Sequence, residues 1–251
     1  MESVYSQYAW LIPLFPLLAF AVILTVGRHA RGFASGIGIL GALASFILSI
    51  LVMSERLDSG AQDYIWNDFT WLQVGDLAVT MGFEVNNLNA LMLVVVSFVS
   101  LLVNIYSRGY MAEDERMSIY YGYISLFTFS MLGLVLSENL LQLYIFWELV
   151  GVCSFLLIGF WYFKPEAKAA AKKAFIVTRI GDLGLLIGIL LLFWETPGHS
   201  FSFSQIANAV HQGHLSGGIL TTIAILIFVG AVGKSGQFPL HTWLPDAMEG
   251  P

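Results

Sequence analysis

The chain has 251 residues, of which 57% are hydrophobic and only 11% are charged, and its formal net charge is −6. About 25% of the residues in a typical soluble domain are charged, so this composition excludes a soluble globular protein. The small, dispersed negative charge excludes a nucleic-acid-binding surface, and the single cysteine, Cys153, excludes an internal disulfide and a thiolate metal cluster.

Apolar runs of about 20 residues recur along the chain and predict an all-α polytopic membrane protein. A transmembrane β-barrel would instead alternate apolar and polar residues within segments of about ten residues. The predicted spans are 9–27, 34–53, 88–107, 118–137, 140–162, 174–194 and 218–247. The first span has no basic region before it and no small-residue cleavage pattern, which indicates a retained helix rather than a signal peptide.

The connections carry further predictions. Aromatic and β-branched residues between the second and third spans predict a small extramembrane β-hairpin at 62–83, and a short interfacial helix is predicted at 205–211. The last span is longer than a bilayer requires. Gly233, Gly236 and Pro239 therefore predict that its helix is broken beside Lys234. The chain ends directly after this span, from which we expect a fragment of a longer membrane protein.

Loop charges predict the orientation through the positive-inside rule. Basic residues follow the first, third and fifth spans: Arg28, Arg31, Arg108, Arg116, Lys164, Lys168, Lys172 and Lys173. The alternate loops carry acidic residues or histidines: Glu55, Asp58, Asp63, Asp68, Asp76, Glu84, Glu138, Glu195, His199, His211 and His214. This asymmetry predicts an outside N-terminus and cytoplasmic basic loops, in a bacterial plasma membrane or an energy-transducing organelle membrane. The histidines are too irregularly placed to predict a metal site.

Glu148 and Lys234 are charged residues inside predicted spans, where a charge costs about 3 kcal/mol or more. Glu148 follows the start of its span by eight residues (140 to 148), which is about 12 Å along a helix in a core about 30 Å thick. A carboxylate at that depth pairs with a cation or takes up a proton. We therefore predict a charge-handling pair of Glu148 and Lys234. The alternatives are a glutamate that only joins two helices and a lysine that extends to the interface.

Three further residues are candidates for tuning or relaying charge. Arg179 precedes Asp182 by three residues, a spacing that brings two side chains onto one helix face. The two either neutralise each other near the cytoplasmic interface or tune Glu148 and Lys234. His241 follows the predicted break, where it either relays protons near neutral pH or hydrogen-bonds the unwound backbone. A neighbouring helix is expected to approach the sixth span closely at three glycines: Gly181, Gly184 and Gly188.

Several stretches resemble one family. They are 143–151 (LYIFWELVG), 178–182 (TRIGD), 233–251 (GKSGQFPLHTWLPDAMEGP) and the opening 8–17 (YAWLIPLFPL). The chain resembles, along its whole length, the antiporter-like large membrane subunit of NADH–quinone oxidoreductase, respiratory complex I. This is subunit L in bacteria, subunit 5 in mitochondria and the F subunit in chloroplast and cyanobacterial relatives. The large subunits of multi-subunit sodium/proton antiporters are related to it.

The resemblance implies an antiporter-like helical bundle of about fourteen core helices, with two inverted repeats that each contain a broken helix. The chain 1–251 would then be a truncated membrane domain, with helices 1–3 at 9–107 and the first part of the first inverted repeat at 118–251. Glu148 and Lys234 match the family's glutamate on the fifth helix and lysine on the broken seventh. Arg179 and Asp182 match its pair on the sixth helix, and His241 matches its histidine just past the break.

The function implied by the resemblance is redox-linked proton translocation, in which quinone reduction elsewhere in a complex drives pumping through Glu148 and Lys234. No redox chemistry and no cofactor are expected in this chain, and NAD, FMN, iron–sulfur clusters and quinone are expected in other subunits. The expected partners are the other membrane-arm subunits and the lipid bilayer. The shared motifs leave two alternatives: the large subunit of a multi-subunit cation/proton antiporter, or of a related carbon-uptake or hydrogenase complex.

Overall fold

The computed structural model describes residues 4–26, 31–57, 62–75 and 77–251. Within these ranges, seven helices are long and apolar enough to cross a membrane, which confirms the predicted all-α membrane architecture. The helices are α1 (Leu11–Thr25), α2 (Arg31–Leu57), α3 (Asn87–Tyr110), α4 (Met117–Leu136), α5 (Leu140–Ile158), α6 (Pro165–Glu195), the short α7 (Phe203–His211) and α8 (Gly217–Lys234). Of the loop charges that predict the orientation, Arg28, Asp58 and Asp76 lie outside the described residues.

The predicted β-hairpin is confirmed. Strand β1 (Tyr64–Val74) pairs with β2 (Leu77–Val85) in a two-stranded sheet. Gly75 begins the two-residue connection with φ of +60°, a left-handed conformation that glycine adopts without steric cost. A short helix is also present where an interfacial helix is predicted: it is α7, which begins two residues earlier than expected.

The first compact unit comprises residues 1–68 and 82–137. In it, α1 packs against α2 and α4, and α2 packs against α3. Phe83 and Val85 of β2 enter the apolar core formed with the helices. Polar contacts cross between α3 and α4, where the Ser100 and Thr128 hydroxyls lie 2.7 Å apart. Since an intramembrane polar group must find a partner within the protein, this contact fixes the register of the two helices.

The second compact unit comprises residues 69–81 and 138–251. In it, α6 packs against both α5 and α8, and α7 contributes Ala209 to the apolar core that these helices share. At the start of α5, Glu138 is 4% exposed and accepts hydrogen bonds from the Thr80 hydroxyl and the Asn139 amide, both at 2.7 Å. Asn139 also caps α5, because its side-chain oxygen accepts from the backbone N–H of Gln142 at 2.8 Å.

Two helices differ in extent from the predicted spans. The seventh span does not continue as a helix to residue 247, because α8 ends at Lys234 and only a 3₁₀ turn at Asp246–Glu249 follows. Gly236 has φ of +60°, which ends the helix, and two prolines follow within ten residues. The helix of the sixth span begins at Pro165, before the predicted span limit of 174, since the alanine- and lysine-rich residues before 174 favour helix and proline suits a first turn.

Glycines bring α6 and α8 into backbone contact. A Cβ added at Gly181 would lie 3.0 Å from the Gly233 Cα and 3.1 Å from the Val229 carbonyl oxygen. Added at Gly184 or Gly188, it would meet side chains of α8 at about the same range, 3.0 Å and 2.9 Å. Side chains at these positions would separate the two helices, so the predicted close approach is confirmed and its partner is α8.

This contact predicts an effect on stability. Gly181→Ala in the full-length protein should lower the midpoint of thermal unfolding, because the clashing atoms are backbone and overpacking costs about 1–3 kcal/mol. The matched control is Gly36→Ala on α2, where an added Cβ meets nothing within 4 Å. The control should leave the midpoint unchanged or raise it, since alanine favours helix. Equal midpoints for both variants, measured in detergent, would contradict the tight α6–α8 contact.

Candidate functional site

Glu148 and Asp182, two of the charged residues predicted inside the spans, lie near the middle of their helices. Glu148 is eight residues (140 to 148) after the start of α5, and Asp182 is nine residues (173 to 182) beyond Lys173 on α6. At 1.5 Å per residue, Glu148 lies about 12 Å from the start of α5 and Asp182 about 13.5 Å from Lys173. Such distances approach half of the thickness of a hydrocarbon core, which is about 30 Å. The charges therefore lie deep in the spanning segments.

The ion pairs at this depth differ from the prediction. Glu148 pairs with Arg179 through Oε2 and Nη1, whereas the carboxylate nearest to Lys234 is Asp182, with 3.9 Å between Nζ and Oδ2. Among the described residues there is no ion pair between Glu148 and Lys234, nor between Arg179 and Asp182. The two pairs are instead exchanged: each residue of α6 faces an oppositely charged partner on a different helix.

Helix geometry explains the exchange. Trp147 and Glu148 are successive residues of α5, so their side chains leave the helix about 100° apart. Trp147 faces Asp182, and its indole N–H donates to Oδ1 at 2.6 Å. Glu148 consequently faces Arg179, whose guanidinium also lies over the Phe175 ring at 4.6 Å from the centroid. Charge alone does not specify which helix face each residue occupies, so it does not predict which residues pair.

Burial singles out two atoms of the four-residue cluster. Asp182 is 1% exposed, and the side chains of Lys234 and Glu148 are 16% and 20% exposed. Lys234 Nζ and Glu148 Oε1 are both buried, and neither has a hydrogen-bond partner in the described part of the chain. Buried charged atoms are ordinarily hydrogen-bonded, so these two atoms are exceptions within the cluster.

Lys234 is the last residue of α8, and the helix end beyond it is closed by hydrogen bonds. The backbone N–H of Gln237 donates to the Val232 oxygen at 3.0 Å, which with Gly236 forms a Schellman-type end. The Trp243 indole donates to the Gly233 oxygen at 3.0 Å. The predicted break is therefore present, but these carbonyl oxygens are bound by the protein itself rather than left to line water.

His241 lies apart from the described contacts of the cluster. It is exposed, and its ring contacts the Phe238 ring with 5.7 Å between centroids. None of the hydrogen bonds, ion pairs or ring contacts of the four clustered charges within residues 77–251 includes His241. Asp246, a few residues further on, pairs with Lys173 at 2.8 Å, and both side chains are exposed.

Comparison with known proteins finds families whose models match most of this chain. The family model described as "NADH:quinone oxidoreductase/Mrp antiporter, TM" matches residues 137–251, which include the whole cluster. The model described as "NADH-Ubiquinone oxidoreductase (complex I), chain 5 N-terminus" matches residues 71–121. The NAD(P)H-quinone oxidoreductase chain 5 of Picosynechococcus sp. is 46% identical over 264 residues that include all of this chain.

The two models assign residues 71–121 and 137–251 to this antiporter-like family. Other antiporter-like relatives are the chain 5 of Synechocystis sp., with 48% identity, and the chloroplastic subunit 5 of Hordeum vulgare, with 44%. All of this chain is covered in each case. It spans 39%, 38% and 35% of the three relatives' own lengths, the Picosynechococcus protein first.

Solved structures show that the fold is that of antiporter-like subunits. A chain of the Mrp complex from Dietzia sp. is 28% identical and superposes with a TM-score of 0.79, covering 96% of this chain and 25% of the other. A chain of the archaeal membrane-bound sulfane sulfur reductase superposes with a TM-score of 0.81 and the same 96% coverage of this chain, or 47% of the other. Its identity is 18%, so this second likeness shows the fold alone.

Three residues of the antiporter-like site were not singled out from the sequence. Trp147 and Trp243 donate the hydrogen bonds described above, and Gly151 leaves the space that the Lys234 ammonium occupies. One signal was present: Trp147 and Gly151 lie on either side of Glu148, within the motif that resembles the family. Their roles depend on which face of α5 meets α8, which a motif does not specify.

Proposed function

We propose that this chain is part of a proton-translocating membrane subunit of an NAD(P)H–quinone oxidoreductase. The observation that carries the proposal is the cluster of four charges inside the spanning helices, Glu148, Arg179, Asp182 and Lys234, in which Asp182 is 1% exposed. A charge near the bilayer centre costs about 3 kcal/mol or more. Four such charges, two of them with atoms that lack hydrogen-bond partners, indicate a site that handles charge rather than one that only joins helices.

The exchanged ion pairs suggest how protonation of Glu148 changes the environment of Lys234. A proton that arrives on Glu148 removes its charge and weakens its pair with Arg179. Arg179 lies one turn from Asp182 on α6, close enough for its guanidinium to turn towards that carboxylate. Asp182 would then hold Lys234 less strongly, which changes the proton affinity of the lysine. In this mechanism the two α6 residues transmit the coupling that the sequence assigned to a direct pair.

Electron transfer belongs, in this proposal, to partner subunits, where NAD, FMN, iron–sulfur clusters and quinone supply the redox chemistry. The relatives are named as subunits of NAD(P)H-quinone oxidoreductase, which supports other membrane-arm subunits as partners. The residues of this chain hold and move protons only. His241 is proposed as a lower-ranking relay residue on the basis of its place after the break.

A second candidate is the large subunit of a multi-subunit cation/proton antiporter, which the likeness to the Mrp complex chain favours. Purification of the native complex distinguishes the two. An oxidoreductase would copurify with electron-carrying subunits, and its proton uptake into vesicles would require an electron donor and a quinone. Cation-driven proton movement without electron-carrying subunits would instead establish the antiporter.

The orientation is proposed from the loop charges: the N-terminus outside and the basic loops on the cytoplasmic or equivalent side. In full-length protein stripped of its native cysteines, single cysteines at Lys164 and His214 should react from opposite sides of sealed vesicles. We expect the residue-164 thiol to be labelled by an impermeant maleimide only from the cytoplasmic side. Labelling of both positions from one side would overturn the orientation.

A further inference from the structure

Lys234 is met on α5 by Trp147 and Gly151 rather than by Glu148. The two residues are four apart, so they lie on one face of the helix, one turn above the other. The Lys234 Nζ lies 5.9 Å from the centre of the Trp147 ring. A Cβ added at Gly151 would lie only 2.6 Å from the same nitrogen. On this side, the ammonium therefore lies beside an aromatic ring and in the space that a glycine leaves free.

Trp147 also contacts the counter-ion of Lys234. Its indole N–H, which can only donate, is 2.6 Å from Asp182 Oδ1. The second oxygen of the carboxylate, Oδ2, is 3.9 Å from Lys234 Nζ, which is beyond hydrogen-bond distance. One oxygen of Asp182 is thus fixed by the indole, and the other is directed at an ammonium that it attracts without binding.

We infer that Trp147 is a positioning residue for the Asp182–Lys234 pair. Its N–H fixes the rotation of the Asp182 carboxylate, and its ring and the Gly151 gap together determine where the ammonium lies. The attraction between an ammonium and an indole ring operates within about 6 Å, so the observed distance is at its outer range. Trp147 therefore keeps Asp182 Oδ2 and Lys234 Nζ beyond hydrogen-bond distance. The inference rests on the proposed proton-translocating function, since it assigns a residue that controls the same site.

Loss of the N–H should let the pair close. In Trp147→Phe an aromatic ring remains, but Asp182 loses the hydrogen bond that its carboxylate accepts from the indole N–H. The carboxylate becomes free to rotate and to bind Lys234 directly, and a closed pair exchanges its proton more slowly. We expect proton translocation to fall about tenfold or more, the change that corresponds to about 1.4 kcal/mol. The pH profile of the remaining translocation should shift by about one unit.

The experiment uses the full-length protein in its complex, reconstituted in vesicles, with proton uptake and quinone reduction measured on the same preparation over a range of pH. Trp194→Phe is the matched control, because Trp194 is 64% exposed on α6 and its ring contacts those of Phe193 and His199, outside the charged cluster. The control should keep both the rate and the pH profile. Assembly is checked by the subunit composition of each purified variant.

The outcomes separate the inference from the function on which it rests. A lower rate with a shifted pH profile in Trp147→Phe supports the positioning role, whereas a lower rate with an unchanged profile indicates a packing defect and overturns it. Normal pumping by Trp147→Phe, together with inactive Lys234→Ala, overturns the inference and leaves the proposed function standing. Normal pumping by both variants overturns the proposed function itself.

Discussion

Replacement of Lys234 by alanine in the full-length protein is expected to abolish most proton translocation while the complex still assembles. The change removes the only cation within ion-pairing distance of Asp182 in the described part of the chain, and it removes a buried nitrogen that has no hydrogen-bond partner. Because α8 already ends at this residue through backbone and Trp243 hydrogen bonds, its end should survive. The loss should be at least about tenfold, measured as proton uptake by vesicles during quinone reduction.

Lys172→Ala is the matched control for this prediction. Lys172 is exposed near the start of α6, so the same substitution there removes a solvated charge. The control should pump normally. Glu148→Gln is expected to lose most pumping as well, because an amide cannot take up the proton that the mechanism delivers to that position. Normal pumping by both the Lys234 and the Glu148 variants would show that the cluster does not carry protons.

Asp182→Asn is expected to impair pumping as severely as Glu148→Gln. The carboxylate is 1% exposed and is the nearest negative charge to Lys234, so the variant leaves a buried ammonium without a counter-ion. Removal of one partner from a buried pair costs about 3–5 kcal/mol, part of which should appear as a lower midpoint of thermal unfolding. Proton uptake and thermal unfolding of the purified complex would both be measured.

Asp246→Asn provides the comparison, since Asp246 pairs with Lys173 at the surface with both side chains more than 40% exposed. Exposed pairs contribute about 0–1 kcal/mol, so this variant should unfold and pump like the parent. A double-mutant cycle extends the test: Asp182 and Lys234 should be coupled strongly, and Glu148 and Lys234 weakly. Strong coupling only between Glu148 and Lys234 would favour the direct pair predicted from the sequence.

The fold was largely predictable because membrane spans leave a strong one-dimensional signal. Seven apolar runs of about 20 residues became seven helices, and the hairpin and α7 were found from their composition. The span limits failed where that signal weakens. Residues 165–173 are helical despite their lysines, and residues after Lys234 are apolar without being helical. Hydropathy indicates whether a segment can lie in a membrane. It does not specify the backbone conformation of that segment.

The candidate site was predictable in its members but not in its contacts. Glu148, Arg179, Asp182 and Lys234 were found because charges inside apolar spans are costly and hence conspicuous. Their pairing depends on the rotation of α5, α6 and α8 about their own axes. The glycines that set the α6–α8 contact and the Trp147 hydrogen bond determine that rotation. The glycines and Trp147 can be read from the sequence, but none of these residues indicates by itself which side chain it will contact.

The end of α8 at Lys234 has an electrostatic consequence of its own. The peptide dipoles of a helix add to about half a negative charge at its C-terminal end. A continuous helix would carry that partial charge on to the far side of the membrane. Here α8 has 18 residues and ends at Lys234, so its partial negative charge lies at the residue whose ammonium is deep in the span. A dipole of this kind contributes up to about 2 kcal/mol in partly buried settings, so the helix itself acts as a second, non-titrating counter-ion that remains in place whatever the protonation state of Asp182.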